Sequence, residues 1–289
     1  QFNRLQGAFA SAEKIFVILD EKPTVTDRDG AISVDEIAGE VEFKNVWFCY
    51  EPDEWVLKDV SFKVEAGQTA AFVGATGSGK TTILSLLCRN YDIQKGSILI
   101  DGKDIYDYSV HSLRKRFGQM LQDVFLFSGT IRTNITLGDE FSDDEIKTAC
   151  RYVNADRFID ALPDGLDHEI RERGNNLSAG QRQLLSFART VIHKPDVLIL
   201  DEATANIDAE TESLIRDSLE KMMKGGTMFI VAHRLSTVRH ADVILVMSDG
   251  KIIERGTHDE LIAKKGRDYQ LYTVQYEKEH GCSHPPEND

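Results

Sequence analysis

Gly74-Ala75-Thr76-Gly77-Ser78-Gly79-Lys80-Thr81 reads G-x-x-x-x-G-K-[ST], the pattern of a phosphate-binding loop. Each residue type has a physical task there. Glycines let the backbone wrap closely and aim successive N–H groups at phosphate oxygens. Lys80 adds a point charge within reach of the β- and γ-phosphates, and the Thr81 hydroxyl suits Mg²⁺. The helix that starts here turns its positive N-terminal end to the same anion. Ahead of the loop, Thr69 to Val73 is a short apolar run suited to a buried strand; behind it, Thr82 to Cys88 is apolar enough for a buried helix. That is the strand–loop–helix setting the pattern needs. Average residue usage gives a chance match in such a chain odds of roughly 1%. A Gly-rich turn without a ligand is therefore the weaker reading, and the stretch implies a bound nucleoside triphosphate.

The bulk composition narrows the rest. A chain of 289 residues allows one large domain or two small ones. Hydrophobic content of 41% and charged content of 28% are ordinary for a globular protein. A net charge of −14 offers no long-range attraction to nucleic-acid phosphates, so no nucleic-acid partner is expected. Cys49, Cys88, Cys150 and Cys282 show no C-x-x-C spacing and read as free thiols of a reducing cytosol. No apolar run approaches the ~18–20 residues that cross a bilayer, and no signal-peptide pattern is read. The start, Gln1-Phe2-Asn3 without a Met, suggests a segment of something longer.

Along the chain, Phe2, Leu5, Phe9, Ala12, Phe16 and Leu19 are spaced three and four apart, which predicts a helix over residues 1–20. It either packs on its own domain or is the tail of a longer helix. Residues 21–39, polar with Pro23 and Gly30, read as a linker. From Glu40 the period becomes two: Val41 and Phe43, then Val60, Phe62 and Val64, predict an antiparallel layer. Tyr50 ends the first run and by itself reads as a half-exposed strand aromatic. Ser97 to Ile100 predicts a strand before the Asp101-Gly102 turn, and the basic stretch His111 to Arg116 a helix surface. Residues 118–194 read as a mostly helical subdomain, with helical period over 142–162 behind Asp143, Asp144 and Glu145.

Val197-Leu198-Ile199-Leu200 is a strand buried on both faces, ending in Asp201 and Glu202. Carboxylates at a strand's C-terminal end sit where α/β sheets do chemistry, Asp201 for Mg²⁺ and Glu202 for the attacking water. An Asp/Glu pair merely opening the next helix is the competing reading. Met228 to Ala232 is a further buried strand, ending at His233. Residues 243–247, a Ser248-Asp249-Gly250 turn and residues 251–254 predict a hairpin, 261–276 a helix, and 277–289 a tail.

Leu177-Ser178-Ala179-Gly180-Gln181 resembles the L-S-G-G-Q signature of the nucleotide-binding domain of ATP-binding-cassette (ABC) transporters. With the other motifs in order, the resemblance covers residues 40–276. It implies an α/β fold, a P-loop NTPase (RecA-like) core with an antiparallel β subdomain and a helical signature subdomain. It implies ATP and Mg²⁺ as ligands. Tyr50 matches the aromatic that stacks on adenine. Gly74, Ala75, Thr76, Gly77, Ser78, Gly79, Lys80, Thr81 and Thr82 match the nucleotide-binding loop. Thr81, Gln122 and Asp201 match the Mg²⁺ set, with Gln122 also sensing the attacking water. Glu202 matches the catalytic base and His233 the switch histidine. Asp208 falls in the D-loop, and Ser178, Ala179, Gly180 and Gln181 would meet the ATP held by a second cassette.

Asp123 to Ile131 and Glu172-Arg173-Gly174 are similar to the exporter branch. That branch implies a transmembrane domain in the same polypeptide, with residues 1–20 ending its last helix, and a site of work on the cytoplasmic face of the cell membrane. The function implied is ATP hydrolysis that powers export through closing of two cassettes. The alternative, a soluble cassette protein acting on nucleic acid or ribosomes, would carry a long coiled coil or a basic face. Two positions depart from the family pattern: Ala179 replaces a glycine, and Ala205-Asn206-Ile207-Asp208 replaces S-A-L-D.

Overall fold

The structure, a computed structural model, describes residues 2–121, 123–201, 209–231 and 238–264. Its centre is a six-stranded sheet. Strands β3 (Thr69–Gly74), β6 (Phe117–Met120), β9 (Val197–Asp201), β10 (Thr227–Val231), β11 (Val243–Ser248) and β12 (Lys251–Gly256) lie in the order β12-β11-β3-β10-β9-β6. All pairings are parallel except the β11–β12 hairpin.

The sequence explains why this sheet is covered on both sides. Because strand side chains alternate, Ala71 and Val73 of β3 enter one apolar cluster while Ala70 and Phe72 enter another. Strands β9 and β10 divide in the same way, Leu198, Leu200, Met228 and Ile230 against Val197, Ile199, Phe229 and Val231. A continuous apolar run is what a strand with two buried faces requires.

On one face lie helix α2 (Lys80–Leu87) and an antiparallel layer, β1 (Val41–Cys49), β2 (Trp55–Val64), β4 (Lys95–Ile100) and β5 (Lys103–Asp104), ordered β2-β1-β4-β5. An aromatic column ties layer to sheet. Phe43 stacks on Phe62 at 4.5 Å between centroids, Phe62 meets Phe72 edge-on at 5.6 Å, and Phe72 meets Phe229 at 6.4 Å. The β11–β12 turn fastens the same layer from the other side. Asp249 and Gly250 both have positive φ, 49° and 77°, as a two-residue hairpin turn of matching twist demands. A Cβ on Gly250 would lie 2.1 Å from the Val56 carbonyl oxygen, so only glycine fits.

The opposite face carries the helical part: α4 (Ile131–Thr136), α5 (Asp143–Tyr152), α6 (Asp156–Ile159), α7 (Ala179–Ile192) and α8 (Ala209–Met223), with the short pair β7 (Gly129–Thr130) and β8 (Glu169–Ile170). Three expectations change here. Residues 117–120 belong to the core sheet as β6, because Gly118 packs where a Cβ would lie 2.6 Å from Pro195 and Thr190; the helical part starts later than residue 118. The helical period over 142–162 breaks at Asn154, whose φ of 58° ends α5 before α6 begins. The stretch 21–39 has irregular backbone as expected of a linker, yet it lies against the domain, with Ile37 buried and Ile32 bridged to Tyr108.

Helix α1 (Phe2–Leu19) forms, but Phe2, Phe9, Phe16 and Leu19 stand exposed, so this domain does not cover its apolar seam. Two more short helices are α3 (Val110–Arg114) and α9 (His258–Lys264). The helix expected over 261–276 is described only as far as Lys264, and the rest, with the tail and Cys282, lies outside the described residues. Cys49, Cys88 and Cys150 are buried free thiols, and burial pushes Cys88 and Cys150 up to about 12. Among the described residues no helix is long and apolar enough to cross a membrane.

Phe72 is fully buried and belongs to the aromatic column at both of its ends. Replacing it by Ala is expected to cost about 3–5 kcal/mol of unfolding free energy, measured by chemical denaturation. A loss under about 1 kcal/mol would contradict the column as a packing unit.

Candidate nucleotide-binding site

The loop between β3 and α2 is shaped by three glycines with positive φ: Gly74 at 150°, Gly77 at 82° and Gly79 at 102°. Gly74 has no space for a side chain, since a Cβ would sit 2.3 Å from the Met247 carbonyl oxygen of β11. Gly77 is the opposite case. Nothing lies within 4 Å of where its Cβ would be, so the middle of the loop faces open space.

Helix α2 begins at Lys80 with Gly79 as N-cap, no side-chain cap and no acidic residue in its first turn. Its first N–H groups thus lack the side-chain acceptor that usually satisfies a helix start. Ser78 is buried beside them, and its Oγ has no hydrogen-bond partner. Unfilled donors around an open concavity suit a polyanion.

Lys80 is 6% exposed, and its Nζ donates to the carbonyl oxygens of Gly74 (2.8 Å) and Ala75 (2.9 Å). Burial pushes its pKa down, and the Asp201 carboxylate pulls it partly back. The two hydrogen-bond partners of the ammonium are neutral carbonyls, which leaves much of its charge for a ligand. Thr81 Oγ1 donates to Asp201 Oδ2 at 3.3 Å, joining the loop to the end of β9. A hydroxyl and a carboxylate side by side make a hard-oxygen pair of the kind Mg²⁺ takes.

Tyr50 stands beside α2, its hydroxyl 3.2 Å from Thr82 Oγ1. It is 49% exposed and packs edge-on against Phe48 and Tyr91, with centroids at 4.8 and 5.1 Å. Tyr91, itself 45% exposed, makes a second aromatic wall that the sequence reading missed. Its only signal was a Tyr just beyond the loop helix, which no period singles out.

The residues 178–181 occupy a different place, the start of the 14-residue helix α7. Ser178 is its N-cap: Ser178 Oγ accepts from the Gln181 N–H (3.2 Å), and Gln181 Oε1 accepts from the Ser178 N–H (2.9 Å). Ala179 opens the first turn, and Gly180 is buried. Thus the chain brings Tyr50, residues 74–82 and Asp201 together, while Ser178 and Gln181 make their hydrogen bonds within their own segment.

Strands β3, β6, β9 and β10 run parallel, so all four end at one edge of the sheet. Gln122, Glu202 and His233 follow those ends in sequence, and they lie, with Asp208, outside the described residues. Next to that edge, Leu121, Phe125 and Phe127 make an exposed apolar lip. Asn134 grips it by both backbone groups of Phe127 (2.8 Å each), and Arg189 of α7 donates to the Phe125 carbonyl at 3.0 Å.

Comparison with known proteins gives the family. Residues 57–205 match the ABC transporter family. A probable multidrug resistance ABC transporter ATP-binding/permease protein, YheH of Bacillus subtilis, is 49% identical over 98% of the chain and 42% of its own length. An ATP-dependent lipid A-core flippase of Syntrophus aciditrophicus is 43% identical over 96% of the chain and 46% of its own length. Among solved structures, a bacterial Atm1-family ABC exporter with ATP bound superposes with a TM-score of 0.85 at 38% identity, over 93% of this chain and 47% of that one. The chain thus spans less than half the length of these proteins. With the glycine loop, the buried Lys80 and the match over residues 57–205, the chain belongs to the ABC transporter family and carries its nucleotide-binding part.

Proposed function

We propose that this chain binds and hydrolyses ATP, and that paired closing of two such cassettes powers export of a substrate across a membrane. The observation that carries this reading is the meeting of Lys80, Thr81 and Asp201 beneath an open glycine loop, with Tyr50 at its side. Tyr50 and Tyr91 give the adenine two aromatic walls. The loop amides and Lys80 take the phosphates, Lys80 exchanging its two carbonyl partners for phosphate oxygens as ATP enters. Thr81 and Asp201, with Gln122, would hold Mg²⁺, which when bound would supply charge neutralisation at the phosphates.

Glu202 follows Asp201 directly and is the base that takes the proton of the attacking water. His233 follows β10, whose neighbours are β3 and β9, and contacts the γ-phosphate. Ser178, Ala179, Gly180 and Gln181 offer the start of α7 to the ATP of a second cassette, with Asp208 near that boundary. The capping of α7 by Ser178 and Gln181 presents a rigid end for this contact. The lip at 121–127 meets a transmembrane domain, and α1 ends that domain's last helix, which puts the work on the cytoplasmic face of the membrane. The cassette itself covers residues 40–276, ahead of a tail over 277–289. The net charge of −14 argues against nucleic acid as the partner.

Glu202→Gln should lower steady-state ATP turnover by about 10²–10⁴-fold while ATP still binds. Undiminished hydrolysis would remove Glu202 from its role. Lys80→Ala should weaken binding of the triphosphate itself, read by titration calorimetry. Lys80 also predicts a pH effect. Its folded pKa lies below the ordinary lysine value, so it loses its proton as pH rises through that lowered value. Phosphate favours the charged form, so ATP binding in alkaline buffer should take up protons and weaken with rising pH. Calorimetry in two buffers of different ionisation enthalpy reads that uptake, and Lys80→Ala should abolish it.

A further inference from the structure

Among the described residues Arg89 is the largest fully buried side chain, 1% exposed, and its location is unusual. It follows the end of α2, the helix that begins at Lys80, and has φ of 49°. Eight residues of helix span about 12 Å, so α2 is a short rod with the phosphate loop at one end and Arg89 at the other. Two of the guanidinium's bonds are to its own neighbourhood: Nη1 donates to the Tyr108 carbonyl (3.2 Å) and Nε to Asp92 (3.4 Å). The third is not. Nη2 donates to the Thr26 carbonyl at 2.9 Å, in the stretch that joins α1 to the cassette.

That stretch is fastened along its length. Asp27 accepts from the Val110 N–H (2.7 Å), and the Arg28 guanidinium sits 4.1 Å from the centroid of the Tyr106 ring, with Arg89 4.8 Å from the same ring. The Val34 N–H donates to Ser112 Oγ (3.1 Å), the Ile37 N–H to Asp196 (3.1 Å) and the Ala38 N–H to Asp101 (2.7 Å). Arg114, in the basic stretch expected as a helix surface, is exposed as expected on α3, and its guanidinium reaches back to the end of α2. It donates to the Cys88 and Arg89 carbonyls at 3.1 and 2.6 Å, fixing the far end of α2.

Without the Thr26 carbonyl, a guanidinium that is otherwise buried loses a hydrogen-bond partner. Seating of the stretch and placement of α2 therefore depend on each other. We propose that residues 23–38 form a strap whose seating on Arg89 is coupled to nucleotide binding at the other end of α2, with Arg89 as the positioning residue. The inference rests on the nucleotide site at residues 74–82. It gives α1 a route to sense that site separate from the lip at 121–127.

Hydrogen exchange of the 289-residue chain with and without Mg-ADP tests it. The amides of Val34, Ile37, Ala38 and Val110 each donate to a bond that exists only while the strap is seated. Their exchange should slow by about 5-fold or more when Mg-ADP binds. By reciprocity, Asp27→Ala, which loosens the strap without touching the loop, should weaken Mg-ADP binding, by no more than the same factor. Arg89→Met should retain Mg-ADP binding but lose the nucleotide-dependent change in exchange, an effect that simple loss of stability would not give. If Arg89→Met does not fold, Arg28→Ala, which removes only the contact over Tyr106, should reduce the same change. Tight Mg-ADP binding with unchanged strap exchange would overturn the coupling alone. No Mg-ADP binding by the wild-type chain would overturn the nucleotide-site reading and the coupling with it.

Discussion

The close approach of Gly74 to the Met247 carbonyl fixes where the phosphate loop leaves the sheet. A side chain there would push β3 away from β11, and these neighbours run in register from Ala70–Val243 to Gly74–Met247. The loop is thus built on a buried central strand of the sheet, between β11 and β10. Everything the site needs follows from that anchorage: the turn into α2, the burial of Lys80 and the reach of Thr81 to Asp201.

The electrostatics follow from the same burial. The chain as a whole is acidic and repels a polyanion at long range. Attraction must be local, and the groups placed for it are the loop amides and the largely buried ammonium of Lys80, whose partial burial strengthens its field relative to a surface charge. The carbonyls that hold Lys80 are neutral, so they orient the ammonium without cancelling its charge. Asp201 touches Thr81 instead. Charge opposite to the ligand and charge suited to a cation are kept on separate atoms of one small site.

Much of this was legible in the sequence because the signals are local. An eight-residue pattern specified the loop, and apolar runs with two buried faces specified β3, β9 and β10. The alternation of Val41 and Phe43 against Phe62 and Val64 predicted a pairing that the structure contains as Phe43 opposite Phe62 and Val41 opposite Val64. The errors arose where tertiary contact overrides local pattern. Phe117–Met120 is too short to announce itself as a strand and becomes one by pairing with β9. Asn154 breaks a helical period by taking a left-handed backbone, while its amide bonds Asp217 and Ser218 of α8. Residues 21–39 look like a spacer because many of their bonds, at Thr26, Ile32, Val34, Ile37 and Ala38, are made by backbone groups, which carry no sequence signature. Tyr91 gains meaning only from the ring it stands against.

Two cassettes closing on ATP is the central claim, and it turns on Ser178 to Gln181 meeting a nucleotide held by another chain. The most direct test is the solution mass of the Glu202→Gln chain, with and without Mg-ATP, by light scattering on a sizing column. The account predicts a monomer alone and a dimer with Mg-ATP. A chain saturated with ATP that remains a monomer would contradict it.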